Sequence, residues 1–181
     1  MDAQQIKAST ERWLKEVVIG YNLCPFAQRE LQRQSIRFVV SNADSEIDLL
    51  QALEAELDVL LNDQNIETCL LIHPSVLGEF YQYNQFLDVV DALLDELGLV
   101  GEIQIASFHP DYQFANTLAN DAENFTNRSP YPMLHLLRET SLERAIASHP
   151  DASAIPDQNI KRMNEIGSNN LERELRSLLG K

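Results

Sequence analysis

His109 and Asp111 stand two residues apart in the stretch SFHPDYQF, residues 107–114, directly after an apolar run. If the chain stays extended past Pro110, their side chains face the same way. A carboxylate beside an imidazole can orient it as a general base, or join it as a second metal ligand. The plainer reading makes Asp111 a turn residue after a proline. His73 repeats the pattern, since it too closes an apolar run and precedes a proline. Proline keeps the residue before it extended and takes the chain out of a strand. The two His-Pro pairs therefore read as two strand ends. If those strands are parallel, both imidazoles lie at the carboxyl edge of one sheet, where open α/β sheets bind ligands. Taken singly, each histidine reads first as a polar residue that ends a strand, and it is the pairing that points to a site.

A polar connection from Tyr112 to Arg128 follows, and loops of that length in compact domains are often functional. Ser129 and Pro130 then read as the N-cap and first residue of a helix running to about Ala147. On that helix Tyr131, Leu134, Leu142, Ala145 and Ile146 share one arc, with Arg138 in its middle and His135 within it. An arginine on an apolar stripe must be paired or face a ligand, because it cannot shed its charge. Asp111 or Asp121 would serve as an internal partner. Asn127, Arg128 and Ser129 at the positive end of such a helix would suit an anion; alternatively Ser129 only caps and Arg128 is solvated. Cys24, in NLCPF, follows a helix C-terminus, which opposes a thiolate. It becomes a nucleophile only with a partner such as His109 or Arg37, and otherwise reads as a buried small hydrophobe. Arg37, inside an early strand, is either an edge residue or an inward contact for an anion.

Three functions fit these residues. The first is a small-molecule enzyme, a hydrolase or transferase acting on a phosphorylated or carboxylated compound. His109, Asp111 and Cys24 would carry its chemistry, and Arg37, His73, Tyr112, Asn127, Arg128, His135 and Arg138 would hold the anionic substrate. The second is a metal site built from His73, His109, Asp111 and His135, a donor set that suits zinc or another divalent transition metal. The third is a non-catalytic protein that binds a ligand or a partner.

The elements that must position these residues alternate. Ile6, Trp13, Leu14, Val17 and Val18 mark a first helix that ends near Gly20. Ile36 to Val40 reads as a strand, and Ile47, Leu50, Leu53, Leu57 and Leu60 recur at helical spacing. Thr68 to Ile72 is a continuous apolar strand of the kind buried on both faces. Phe80 to Leu97 repeats the helical pattern, with Gly98 closing it, and Gly101 to Phe108 forms a third strand. Two short helices, divided near Gly167 and Ser168, finish the chain. The pattern predicts a single α/β domain over residues 1–181. It has a small, mostly parallel sheet of at least three strands with crossover helices, an N-terminal helix and C-terminal helices. A ferredoxin-like α+β arrangement is the alternative.

Composition narrows the functions. The chain has 181 residues, with 14 Lys plus Arg against 28 Asp plus Glu and a net charge of −14. Such a surface repels phosphate backbones, so no nucleic-acid partner is expected. There is no apolar run of membrane-spanning length and no secretory pattern at the start, so a soluble, cytoplasmic protein without membrane association is expected. Two cysteines make no disulfide framework. No phosphate loop, dinucleotide fingerprint or paired-histidine zinc helix occurs.

Several blocks together resemble a bacterial and plastid-type family catalogued as domain of unknown function 1415. They are VIG at 18–20 with NLCPFA at 22–27, LIHP at 71–74, ASFHPDYQF at 106–114, and NRSPYP at 127–132 with HLLRE at 135–139. The resemblance spans nearly the whole chain, in order. It implies no particular activity. The blocks are rich in polar, site-like residues, which favours a functional site over a bare scaffold. Tyr21 and Asn116 depart from the pattern, where an aliphatic residue and a glycine are expected.

Overall fold

The computed structural model describes residues 2–179. Helix α1 spans Ala3–Trp13 and runs on as a π-helical turn, Leu14–Ile19. Then come α2 (Ala27–Gln32), β1 (Ile36–Val40), α3 (Glu46–Asn62), β2 (Thr68–Ile72), α4 (Phe80–Glu96), β3 (Ile103–Phe108), β4 (Met133–Arg138), α5 (Glu139–Ser148), α6 (Ile155–Ile166) and α7 (Ser168–Leu178). Local chemistry sets several starts. Ser45 accepts the Asp48 N–H at the head of α3, and the Glu79 carboxylate accepts the Gln82 N–H at the head of α4.

The sheet order is β1-β2-β4-β3. β1 and β2 are parallel, while β4 lies antiparallel between β2 and β3. The fold is thus mixed α/β. β1, β2 and β3 all point the same way, so the carboxyl ends of β2 and β3 share one edge. α3 is an ordinary crossover from β1 to β2, whereas α4 spans a split β-α-β unit that β4 fills.

Alternation along the strands sorts the core into two layers. Leu71, Leu134 and Leu136 face α3 and α4, meeting Leu53, Leu57, Tyr83 and Val90. Leu70, Ile72 and Met133 face the other way, onto Trp13, Val17, Val18 and Met163 of the N- and C-terminal helices. Every residue of β2 is buried, as its continuous apolar run requires.

The main departure from the sequence expectation concerns residues 129–147. The expected single helix divides into strand β4 and helix α5. Met133, Leu134, Leu136 and Leu137 are apolar at both the helical and the strand period, so the local pattern fits either. The backbone bonds offered by β2 on one side and β3 on the other decide it. Ser129 caps no helix; it is buried and its hydroxyl donates to the Tyr131 carbonyl at 2.7 Å. A short helix, α2, appears where none was expected, its six residues being too few for a periodic signal. Among the described residues no helix is long and apolar enough to cross a membrane.

Candidate functional site

The two His-Pro pairs do converge. His73 and His109 follow β2 and β3 and pack against Tyr83 of α4, at ring-centroid distances of 5.8 and 5.1 Å. Both are completely buried. Their ring atoms are used by the backbone. His109 Nε2–H donates to the Leu77 carbonyl at 3.2 Å, and its Nδ1 accepts the Asp111 N–H at 3.0 Å. His73 Nδ1–H donates to the Val76 carbonyl at 3.0 Å, and its Nε2 has no partner among the described residues. Burial holds the pKa of His73 down to about 4, and the neighbouring His109 pushes the same way. Burial also lowers His109, against the pull of the Leu77 carbonyl and the Asp111 charge. Asp111 meets His109 through its main chain, and its side chain is exposed.

The residues expected to hold an anion divide in the same way. Asn127 donates to the Ser107 carbonyl at 3.1 Å. Arg128 donates to the carbonyls of Tyr112 and Ala119 and lies 4.5 Å over the Phe125 ring. Tyr112 packs on Phe80 and Phe114. These contacts stitch the 112–128 connection to the sheet. Asn124, fully buried, ties the same connection together through Phe114, Thr117 and Leu118. Asn116 has φ 66°, a left-handed turn that explains why a glycine suits the position and an asparagine is tolerated there. The other departing residue, Tyr21, donates to Glu174 of α7 at 2.5 Å.

Arg37 and Arg138 are also occupied. Arg37 forms a bidentate pair with Glu56 of α3, at 2.6 and 3.1 Å. Arg138 lies on β4 and not on a helix stripe. Its guanidinium donates to the carbonyls of Leu60, Asp63 and Ile66, closing the C-terminal end of α3. Neither Asp111 nor Asp121 is its partner.

His135 belongs to the opposite face from His73 and His109. It stands on β4 between Leu70 and Ala106, beside Phe108 at a centroid distance of 5.9 Å. The four proposed metal donors therefore do not share a site, and among the described residues no group of three or more His, Cys, Asp or Glu side chains is placed to hold a metal ion.

His135 instead opens onto a cavity of about 410 Å³. The sheet supplies its floor through Thr68, Leu70, Phe108 and His135. Trp13, Val18 and Cys24 form one wall, and α2 and α5 flank the mouth with Arg29, Glu30, Arg33 and Arg144. Neither α2 nor α5 has a fully buried residue; Ala27 and Leu31 of α2 pack at the edge of the second core layer, and Ala27, Leu142 and Ala145 line the cavity. The side chains of Arg29 and Arg33 are more than half exposed and flank Glu30 at 3.4 and 4.0 Å. His135 Nε2 lies 2.7 Å from the Thr68 hydroxyl, which itself lies 2.6 Å from the Leu136 carbonyl. Burial holds His135 down to about 4 and raises the Cys24 thiol, the latter against backbone N–H groups of Phe26 and Ala27.

Residues 5–173 match the family described as Protein of unknown function (DUF1415). The chain belongs to this family. No curated protein and no solved structure matches it. Two family-like blocks far apart in sequence, NLCPFA and HLLRE, face each other across the cavity: Cys24, Phe26 and Ala27 line it from one side and His135, Leu137 and Arg138 from the other. Of the site residues singled out from the sequence, Cys24, His135 and Arg138 line this cavity; Thr68, Trp13 and the arginines at its mouth were not among them. Thr68 carries a signal, a hydroxyl at the head of an apolar strand, that becomes legible only once the register against β4 is known.

Proposed function

We propose that the protein binds a small, largely apolar molecule with an anionic group, in the cavity between the sheet, α2 and α5. The observation that carries this reading is a local reversal of charge. In a chain of net charge −14, the lining of an apolar cavity carries Arg29, Arg33, Arg138 and Arg144 against two carboxylates, Glu30 and Glu67, with Arg29, Arg33 and Arg144 at its mouth. Exposed arginines at a mouth suit a carboxylate or phosphate, and an apolar floor suits the rest of the molecule. The cavity volume falls within the range of ordinary ligand sites.

Binding is favoured over catalysis. With its pKa near 4, His135 is neutral at pH 7 and a weak base, and the raised thiol of Cys24 is protonated there. A good general base has a pKa near the working pH, and an attacking cysteine needs its thiolate. On the other face, both nitrogens of His109 are engaged by the backbone.

Calorimetric titration with octanoate, octyl phosphate and octanol tests this. The two anions should bind at least about tenfold tighter than octanol. Replacing Arg29, Arg33 and Arg144 together by Gln should erase that difference. Equal binding of octanol and octanoate, or no binding of either anion, overturns the proposal.

A further inference from the structure

The hydrogen bonds of Thr68 and His135 define what the buried end of that ligand must be. Thr68 has one hydroxyl proton. The Leu136 carbonyl, 2.6 Å away, can only accept, so the Thr68 proton goes there. The Thr68 oxygen is then left as an acceptor toward His135 Nε2 at 2.7 Å, and Nε2 must carry the imidazole proton. A neutral imidazole has one proton, so Nδ1 is a bare lone pair. Nδ1 has no hydrogen-bond partner among the described residues and is not fully enclosed. His135 lines the cavity, amid Leu70, Phe108 and Leu137.

We infer that the molecule bound in this cavity carries a hydrogen-bond donor, a hydroxyl or an N–H, on its buried apolar part, and that His135 Nδ1 accepts it. The inference rests on the anionic-ligand reading above and adds the ligand class: a hydroxylated or amino-bearing apolar acid rather than a plain hydrocarbon acid. The tautomer is fixed by a backbone carbonyl at the centre of a sheet, so the site cannot re-sort its donors to suit a ligand that brings only an acceptor. The low basicity of His135 acts in the same sense, keeping the lone pair free at neutral pH. A site built to pair with a donor discriminates against an analogue that lacks it, because the acceptor is then left dry and unpaired.

Two measurements test this. In ¹⁵N-labelled protein, His135 should show a protonated Nε2 and an unprotonated Nδ1 at pH 7. In titrations, ω-hydroxyoctanoate should bind about three- to tenfold tighter than its ω-methyl ether, the worth of one neutral hydrogen bond. Thr68→Val, which frees the tautomer, and His135→Phe, which removes the acceptor, should each shrink that preference. A proton on Nδ1, or equal binding of hydroxy acid and ether while both bind, overturns the inference and leaves the anionic-ligand reading standing. Failure of octanoate, hydroxy acid and ether alike removes the ligand site itself, and the inference with it.

Discussion

The imidazole of His109 donates from Nε2 to the carbonyl of Leu77, 3.2 Å away, and Leu77 presents that carbonyl from a left-handed backbone with φ 56°. A bulky residue seldom adopts that conformation, which costs on the order of 1–3 kcal/mol unless the surroundings enforce it. Here the surroundings do. Leu77 is buried in the α3–α4 layer, and its neighbour Val76 supplies the carbonyl for His73. Residues 73–79 are thus wrapped around two imidazoles, which substitute for the secondary structure this segment lacks.

His109→Ala therefore leaves both the Leu77 carbonyl and the Asp111 N–H without a partner, and opens a void against Phe80 and Tyr83. The expected loss is about 2–4 kcal/mol of stability, read from urea denaturation. Octanoate binding should be unchanged, because the cavity lies on the other face of the sheet. A fully stable variant would show that these bonds contribute nothing.

Much of this was legible in the sequence, and the rest was not, for identifiable reasons. β1 and β2 stand out as apolar runs between turn residues, and the two His-Pro pairs mark where β2 and β3 end on a common edge. MLHLLR carries no such mark, since its pairing with β2 and β3 exists only in three dimensions. Misplacing it on a helix put His135 and Arg138 on one stripe, whereas on the strand the His135 ring lines the cavity and the Arg138 guanidinium is taken up by carbonyls at the end of α3. The polar residues of the family-like blocks are also ambiguous by type. An Arg128 that bonds carbonyls reads just like one awaiting an anion, and Arg29 and Arg33, four residues apart, read like any solvated helix face.

Arg37 illustrates the distinction. Its bidentate pair with Glu56 leaves the carboxylate side chain 10% exposed, and Cys69 Sγ lies 3.6 Å from the same Glu56 oxygen. Arg37→Leu should cost about 1–3 kcal/mol by stranding Glu56, while the double variant with Glu56→Leu should recover part of the loss. Chemical denaturation of the four proteins of that cycle measures the coupling. Additive effects would mean the pair is not an energetic unit.

Gly20 follows the π-helical turn and donates to the Lys15 carbonyl rather than to that of Glu16. A Cβ placed there would lie 2.0 Å from the Glu16 carbonyl oxygen, a contact no rotamer relieves. Gly20→Ala should destabilise the fold by on the order of 2–4 kcal/mol, lowering the thermal midpoint. The shift should also weaken octanoate binding, because Val18 and Cys24 on either side line the cavity. An unaltered melting temperature would exclude the wide turn as a packing constraint.

The buried histidines set an acid limit on the fold. His73 and His135 are both held down to about 4 in the folded chain, chiefly by burial, against about 6.5 when unfolded. A base whose folded pKa is depressed binds protons more readily in the unfolded state across that interval, so stability rises with pH there. Each contribution is complete above pH 6.5, declines as the pH falls, and is exhausted near pH 4; for each histidine the span is about 3 kcal/mol. His109, also lowered by burial, adds to the same slope. Urea midpoints measured from pH 7 to 4 should fall steeply, and a His73→Gln variant should follow a shallower line that meets the native one toward acid. Parallel curves would show that His73 is protonated alike in both states.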